Sequence, residues 1–242
     1  MMMSFAPERR RGPELIDLSP ENYSQSEYAG SLADIRKVNR FLGDYRATLK
    51  LFSTLVSGIA ASGERPLRVL DVATGSADIP VAIVKWARRR GIKVVVTAVD
   101  INPLAVREAV AFTRAYPEIT VAVADGFSLP FPDGSFDIVL CAKILHHFSE
   151  EETVRLLKEI GRVAAIGYMI MDLRRSCAAW LLITILARVF SRNRLTRHDG
   201  PLSVLRSYTD AELGALADRA GFAGHRVVRQ PFWLMVLMGR KG

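Results

Sequence analysis

The chain has 242 residues and a formal net charge of +8, and half of its residues are apolar. This length suits one α/β-sized domain with a sizeable core, and the composition excludes a disordered, collagen-like or low-complexity protein. The excess of positive charge raises the question of an acidic partner, such as a nucleic acid or a membrane surface.

Cysteine spacing and the N-terminal residues bear on the cellular compartment. Cys141 and Cys177 lie far apart and form no CxxC or Cys/His cluster, which predicts neither a disulfide framework nor a metal site. Residues 1–11 are basic but lead into a Gly-Pro-Glu sequence, so we expect a frayed tail and no secretion signal. The longest nearly apolar run, 177–187, is too short to span a bilayer. The sequence therefore predicts a cytoplasmic protein without a bound metal.

Strands and helices alternate along the middle of the chain. Short apolar or β-branched runs predict strands at 69–72, 94–100, 120–125, 136–143, 166–171, 227–228 and 232–238. Helix starts are indicated by Asn102 before Pro103 and by the capping boxes Ser149/Glu152 and Thr209/Glu212. Helix ends are indicated by Gly91, which follows a predicted helix at 79–90, and by Gly221. Strands joined by single helices require right-handed crossovers. The predicted fold class is α/β, with a doubly wound, mostly parallel seven-stranded sheet.

Two further regions flank or interrupt this alternation. Residues 1–62 are predicted to be an N-terminal tail and a helical cap, and 63–242 to be the main domain. The segment 173–206 is too long for a loop of such a sheet, so we expect a lid insert after strand five. It contains seven arginines and one acid, so most of the net charge lies there. A plain buried helix with a solvated basic turn is the alternative for this insert.

Charged residues follow the predicted strands, at the edge where such sheets bind ligands. They are Asp71, Asp100, Asp125, Lys143 and Asp172. An acidic edge suits a ligand with positive charge and hydroxyl or amine donors, and it suits a pyrophosphate badly. The first loop, 71–78, has one glycine rather than the G-x-G-x-x-G of dinucleotide sites, which disfavours NAD and FAD.

Four motifs occur in a fixed order: "VLDVATGSADIP", "VDINPLAV", "ADGFSLPFPDGSFDIVLC" and "AKILHHF". Together they resemble the core of the class I S-adenosylmethionine-dependent methyltransferases, and the first motif is especially similar to that of the ubiquinone and menaquinone C-methyltransferases. The resemblance implies a Rossmann-like methyltransferase fold for 63–242, S-adenosylmethionine as cofactor and methyl transfer as the activity.

The resemblance also implies a set of cofactor-binding residues. These are Asp71, Ala73, Thr74, Gly75, Asp100, Ile101, Asp125, Gly126, Phe127 and Lys143. Asp71 would hold the ammonium group, Asp100 would accept from both ribose hydroxyls, and Asp125 would accept from the adenine amino group. The family usually has glycine where Ala73 and Ala77 stand, which implies a tighter loop backbone here.

Two adjacent histidines, His146 and His147, follow strand four, where the methyl donor should lie. If the acceptor is a phenol or an enol, either imidazole could remove its proton near neutral pH. The alternative is that one is a solvated turn residue and the other packs near the helix cap. His198, on a separate loop, is a weaker candidate.

The expected acceptor is a small molecule. Nucleic-acid amino methyltransferases typically carry a D/N/S-P-P-Y/F signature after strand four, where this chain has Cys-Ala-Lys-Ile at 141–144, so no nucleic-acid partner is predicted. The helical cap within 1–62, here called the leader, and the insert 173–206 resemble a bacterial group of small-molecule methyltransferases. We therefore predict O- or C-methylation of a largely apolar aromatic, polyketide or quinone-like acceptor. The alternatives are a methyltransferase of prenylated lipids or quinones, contacting a membrane surface through 173–206, and a non-catalytic cofactor-binding module. The sequence does not determine the oligomeric state.

Overall fold

The computed structural model describes residues 6–18, 20–57 and 65–241, and these contain one seven-stranded sheet. The strands are β1 Leu67–Val72, β2 Val94–Asp100, β3 Ile119–Val123, β4 Phe136–Ala142, β5 Ala164–Leu173, β6 Arg226–Gln230 and β7 Leu234–Arg240. Their order in the sheet is β3-β2-β1-β4-β5-β7-β6. The first five are parallel, and β7 runs antiparallel to β5 and β6. The predicted fold class is confirmed.

Helices cover both faces of this sheet. They are α1 Gln25–Phe41, α2 Asp44–Val56, α3 Asp78–Arg88, α4 Pro103–Thr113, α5 Glu150–Val163, α6 Cys177–Phe190, α7 Arg194–Arg206 and α8 Asp210–Arg219. One apolar cluster joins the sheet to α2, α3 and α4 through residues such as Phe52 and Ile83. A second joins it to α5 and α8 through Leu157 and Leu213. Because both faces are covered, the central strands β4 and β5 are largely buried and apolar, as buried parallel strands are, whereas the edge strands β3 and β6 are partly exposed. Within the described residues, no helix combines the length and apolarity needed to cross a bilayer.

Several predicted strand ends differ from the observed ones. β3 and β4 end before Asp125 and Lys143, which lie in the following loops, and Lys143 has a left-handed backbone with φ of +57°. β5 is longer than predicted. β7 begins only at Leu234, because Phe232 and Trp233 have positive φ and form a 3-10 turn. The end of β4 and the start of β7 thus coincide with left-handed backbone positions that apolar periodicity does not report.

The prediction that residues 1–11 are a frayed tail is wrong for the described part, while 1–5 lie outside the described residues. The Arg10 amide donates to the Leu205 carbonyl at 3.0 Å. The Arg9 guanidinium lies 3.9 Å from the centre of the Tyr208 ring and donates to the Arg206 carbonyl at 2.6 Å. This segment is therefore bound along the end of α7.

The insert after β5 consists of two helices, α6 and α7, which pack on each other, and α7 also packs on α1. The sequence shows only the first as an apolar run, because α7 contains Gly200 and Pro201, which are unfavourable inside helices. At Gly200 a Cβ atom would lie 3.3 Å from a methyl carbon of Ile183 on α6. The glycine thus permits a close approach between the two helices.

Candidate functional site

A cavity of about 930 Å³ lies at the carboxyl ends of the parallel strands. All ten residues predicted to bind a cofactor line it. The leader also contributes, because Tyr28, Leu32 and Asn39 of α1 form part of the wall. The strand ends and α1 therefore enclose one site of a size that is ordinary for small ligands.

The loop after β1 has an unusual backbone. Ala73, Gly75 and Ala77 all have left-handed φ, at +57°, +56° and +56°. An alanine in this conformation costs roughly 1 kcal/mol relative to its preferred region. This cost explains why glycine suits positions 73 and 77. Gly126 is needed for a different reason, since a Cβ atom there would lie 3.1 Å from Val72 and 3.2 Å from Leu156 side-chain carbons.

Asp71 lies at the end of β1 with a side chain that is almost fully buried. Its Oδ2 accepts a hydrogen bond from the Thr74 hydroxyl at 2.5 Å, and its buried Oδ1 accepts none from the described residues. Burial raises the pKa of this carboxyl to about 7, the Thr74 hydrogen bond lowers it, and the nearby Asp78 and Asp100 carboxylates raise it further. A cationic or hydrogen-donating ligand group would satisfy the free oxygen.

Asp100 and Asp125 also have local structural roles. Asp100 accepts from the Gly75 amide with Oδ2 and from the Asn102 amide with Oδ1, both at 2.9 Å. Burial raises the pKa of Asp100, although these backbone hydrogen bonds lower it. Asp125 accepts from the Phe127 amide at 2.9 Å. Each carboxylate oxygen has two lone pairs, so both residues can still accept hydrogen bonds from a ligand.

Lys143 connects the loop after β4 to the leader helices. Its ammonium group contacts the side chains of Asn39 and Asp44. Asn39 in turn donates to Asp78 at 2.7 Å, at the start of α3. Lys143 therefore borders the cavity while its charge is neutralised by Asp44.

A second cavity, of about 650 Å³, lies between α1 and the insert helices α6 and α7. Its wall is mostly apolar and includes Val38, Phe41, Ile183 and Leu186. Four residues line both cavities: Ile16, Ile35, Lys143 and His147. The two spaces therefore adjoin at these residues.

The two histidines lie at this junction, and each is held by a carboxylate. His146 is buried, and its Nδ1 lies 2.7 Å from Asp172 Oδ1. His147 Nδ1 lies 2.5 Å from Asp17 Oδ1. The two rings pack against each other with centroids 4.4 Å apart, and Glu14 lies beside their Nε2 atoms, with Oε1 at 3.7 Å from His146 Nε2 and Oε2 at 3.8 Å from His147 Nε2.

Glu14, Asp17 and Arg206 belong to this cluster, and sequence reasoning missed all three. Burial raises the pKa of Glu14 to about 7, although His147 opposes the rise. Arg206 donates to the His146 and His147 carbonyls and to Asp17, at 3.0, 2.9 and 2.9 Å. One sequence feature could have pointed to Glu14 and Asp17: the two acids flank an apolar pair at 15–16, just after the basic residues of 1–11. His198 lies elsewhere, half-exposed on α7 beside Asp199.

Comparisons with known proteins agree with this architecture. The sequence profile of a methyltransferase domain family matches residues 69–167. The chain is 32% identical over 108 residues to the ubiquinone/menaquinone biosynthesis C-methyltransferase UbiE of Rickettsia akari, covering 41% of this chain and 44% of that protein. It is 38% identical over 104 residues to the demethylmenaquinone methyltransferase of Thermus thermophilus, covering 42% and 44%. The matches thus span less than half the length of these curated relatives.

Solved structures extend the similarity over most of the chain. A S-adenosylmethionine-dependent methyltransferase from Aquifex aeolicus superimposes with a TM-score of 0.60 at 21% identity, covering 90% of this chain and 98% of that one. Human N-acetylserotonin methyltransferase, solved with S-adenosylmethionine, gives a TM-score of 0.64 at 19% identity, covering 90% and 57%. At these identities the structures establish the fold. The profile match therefore identifies a methyltransferase domain at 69–167, and the ordered motifs and the shared fold are similar to those of the class I S-adenosylmethionine-dependent methyltransferases.

Proposed function

We propose that the chain transfers a methyl group from S-adenosylmethionine to an oxygen or a carbon of a small, largely apolar acceptor of the aromatic, polyketide or quinone type. The observation that carries this proposal is the junction of two cavities of different character. One is bordered by the strand-end carboxylates, and the other is apolar. Similarity to quinone C-methyltransferases supports the acceptor class.

The residues of the first cavity fit the cofactor. S-adenosylmethionine carries an ammonium group, a ribose diol and an adenine amino group without any phosphate, and it supplies an electrophilic methyl group on its sulfonium. Asp71 has a buried oxygen in need of a donor and would hold the ammonium group. Asp100 would accept from the diol and Asp125 from the amino group. Phe127 would lie against the adenine ring.

The second cavity would bind and orient the acceptor. Ile183 and Leu186 exclude water from it, so the acceptor would be held in contact with the methyl donor in a dry site. The acceptor atom would take the methyl group, and the electrons of the broken carbon–sulfur bond would stay on the sulfur. A phenol or enol must also lose its proton, and His147, which borders both cavities, is the candidate base.

Turnover with a graded panel of acceptors tests this proposal. The chain is incubated with S-adenosylmethionine and phenols or quinols that carry alkyl chains of increasing length, and S-adenosylhomocysteine is quantified. We expect kcat/KM to rise with apolar length until the cavity is filled. Cofactor binding without turnover on any member would instead favour a non-catalytic binding module.

The pH dependence of cofactor binding follows from Asp71. Its pKa is raised to about 7 in the free chain, so below pH 7 an ammonium ligand must displace a proton. Affinity for S-adenosylhomocysteine should therefore fall as the pH drops below 7, by up to about tenfold per unit, and level off above it. Calorimetry between pH 5.5 and 8 measures this profile. Asp71→Asn should flatten it, and an unchanged profile in that variant would contradict the role of Asp71.

One observation favours a further role for the same enzyme, contact with a lipid surface. The outer face of α6 exposes Leu181, Ile185 and Val189, the last with 66% of its surface accessible. Arginines lie beside this face: Arg188, Arg192, Arg194 and Arg197. Exposed apolar side chains rimmed by arginine are typical of helices that bind anionic membrane surfaces.

Vesicle sedimentation tests this contact. We expect the chain to bind vesicles containing anionic lipid at low salt and to bind neutral vesicles weakly. Replacing Ile185 and Val189, which do not line the second cavity, with serine should reduce binding by about tenfold or more, because the helix loses much of its exposed apolar surface. Val110→Ser, at an exposed position on α4, is the matched control. Equal partitioning to neutral and anionic vesicles would contradict a membrane role.

A further inference from the structure

Glu14, His146 and His147 form a compact cluster at the junction of the two cavities. One side-chain atom from each lies within 4.8 Å of the other two. In a tetrahedral zinc site with bonds of about 2.1 Å, ligand atoms are about 3.4 Å apart. Glu14 Oε1 lies 3.7 Å from His146 Nε2 and Glu14 Oε2 lies 3.8 Å from His147 Nε2, so metal binding requires the ligand atoms, which all lie within 4.8 Å of one another, to move closer together.

The orientation of both imidazoles is fixed by a carboxylate on the opposite side of the ring. Asp172 lies beside Nδ1 of His146, and Asp17 lies beside Nδ1 of His147. A proton on each Nδ1 leaves each Nε2 with a free lone pair directed toward Glu14. The carboxylate–histidine arrangement is the usual second layer of histidine metal sites, where it sets the tautomer and raises ligand basicity.

Glu14 is a buried carboxylate with weak compensation: its side chain accepts from the Asp17 amide, and the Arg206 Nε lies 3.9 Å from its Oε1. Its side chain is almost fully buried, and its Oε1 accepts no hydrogen bond from the described residues. The nearest imidazole nitrogen, at 3.7 Å, is too distant for a hydrogen bond. The Glu14 oxygens and the two Nε2 atoms thus face one another at 3.7 and 3.8 Å, which leaves room for a cation that all three groups could bind.

The charges around the cluster also favour a cation. Asp17, Asp172 and Asp199 lie close to Glu14 or to the histidines, which gives four carboxylates. The Arg206 guanidinium faces this group: it donates to Asp17 at 2.9 Å, and its Nε lies 3.9 Å from Glu14 Oε1. A divalent cation would remove most of the remaining negative charge.

We propose that Glu14, His146 and His147 bind a first-row divalent cation such as zinc. Imidazole nitrogen and carboxylate oxygen are ligands that such ions accept, and three protein ligands leave a position open. All three residues line the apolar cavity, so the open position faces the space assigned to the acceptor. This use of the cation rests on the proposed function: it would act as a Lewis acid on an acceptor oxygen and favour loss of its proton. The histidines would then serve as ligands rather than as bases.

Cobalt binding to the untagged chain tests the site without cofactor or acceptor. After chelator treatment, Co²⁺ is titrated and its visible d–d absorption is followed, with zinc competition as a second measurement. We expect one Co²⁺ per chain with an intense band typical of low coordination number. Glu14→Gln and His147→Gln should each weaken binding by more than about 100-fold, and Asp17→Asn, which acts through His147, by about 10- to 100-fold.

The chain has four histidines, so a matched control exists. The double variant His198→Gln/His225→Gln removes the other two and should bind Co²⁺ like the parent. Absence of a stoichiometric band in the parent, or a band that survives Glu14→Gln, would overturn the inference. Chelator-treated chain that methylates an acceptor at the parent's rate would also overturn it while leaving the proposed function intact. Cobalt binding in a chain without any methyl transfer would contradict only the proposed function.

Discussion

Replacing Asp100 with alanine is expected to weaken binding of S-adenosylhomocysteine by about 100-fold or more. Hydrogen bonds to a charged acceptor contribute about 1.5 to 3 kcal/mol each, and the proposed ribose contact uses two. The side chain also accepts from the Gly75 amide, so the variant loosens the loop that faces the rest of the cofactor. Calorimetric titration of both chains measures the difference.

Two variants separate the cofactor contact from general destabilisation. Asp100→Asn keeps one carbonyl acceptor and should lose about tenfold in affinity, between the parent and the alanine variant. Asp218→Ala removes a mostly exposed acid on α8 and should bind the ligand like the parent. Parent-like affinity in Asp100→Ala would contradict the placement of the ribose at the end of β2.

Replacing Arg206 with methionine should disrupt the histidine cluster and the N-terminal segment together. The guanidinium is buried and binds the Gly12 carbonyl and Asp17 on one side and the His146 and His147 carbonyls on the other. Removing one member of a buried charged network costs about 3 to 5 kcal/mol, because the remaining charges lose their partner. For a chain of this size, we expect the melting temperature to fall by about 10 °C.

Hydrogen exchange identifies where this loss occurs. Residues 6–18 and the loop after β4 should lose protection in Arg206→Met more than the central strands do, and turnover should fall by about 100-fold or more, because both sides of the cluster lose their support. Arg219→Met is the matched control, since Arg219 is a half-exposed arginine that pairs with Glu150 and Glu151. It should cost less than about 1 kcal/mol. Equal effects of the two substitutions would contradict a special role for Arg206.

The central sheet could be predicted from the sequence because its strands carry short-range signals. β2 has the predicted bounds, and the helix after it begins as predicted, with the Asn102 side chain accepting from the Leu104 amide. Periodicity was less informative for α7, where a glycine and a proline lie inside a helix held by tertiary packing. Likewise, β7 begins at Leu234 rather than at the predicted residue 232, because a turn with positive φ precedes it and no local sequence pattern indicates that turn.

The candidate site also has one part that the sequence predicts and one part that it does not. The half that we propose for the cofactor lies at the strand ends, so the sequence motifs predict Asp71, Asp100 and Asp125 without long-range information, and all three line the first cavity. The histidine cluster depends on Glu14 and Asp17, which reach it from a segment more than a hundred residues away in the chain. No local pattern encodes that contact, since it is made by Arg206 and Asp199 holding the N-terminal segment in place.

Calorimetric titration of the parent chain with S-adenosylhomocysteine tests the central claim most directly, because every proposed step depends on the strand-end cavity holding this cofactor. At pH 7.5 the account predicts a single-site isotherm that requires Asp100, with no displacement by excess NAD. An absence of binding up to millimolar ligand, or binding that NAD displaces, would contradict it.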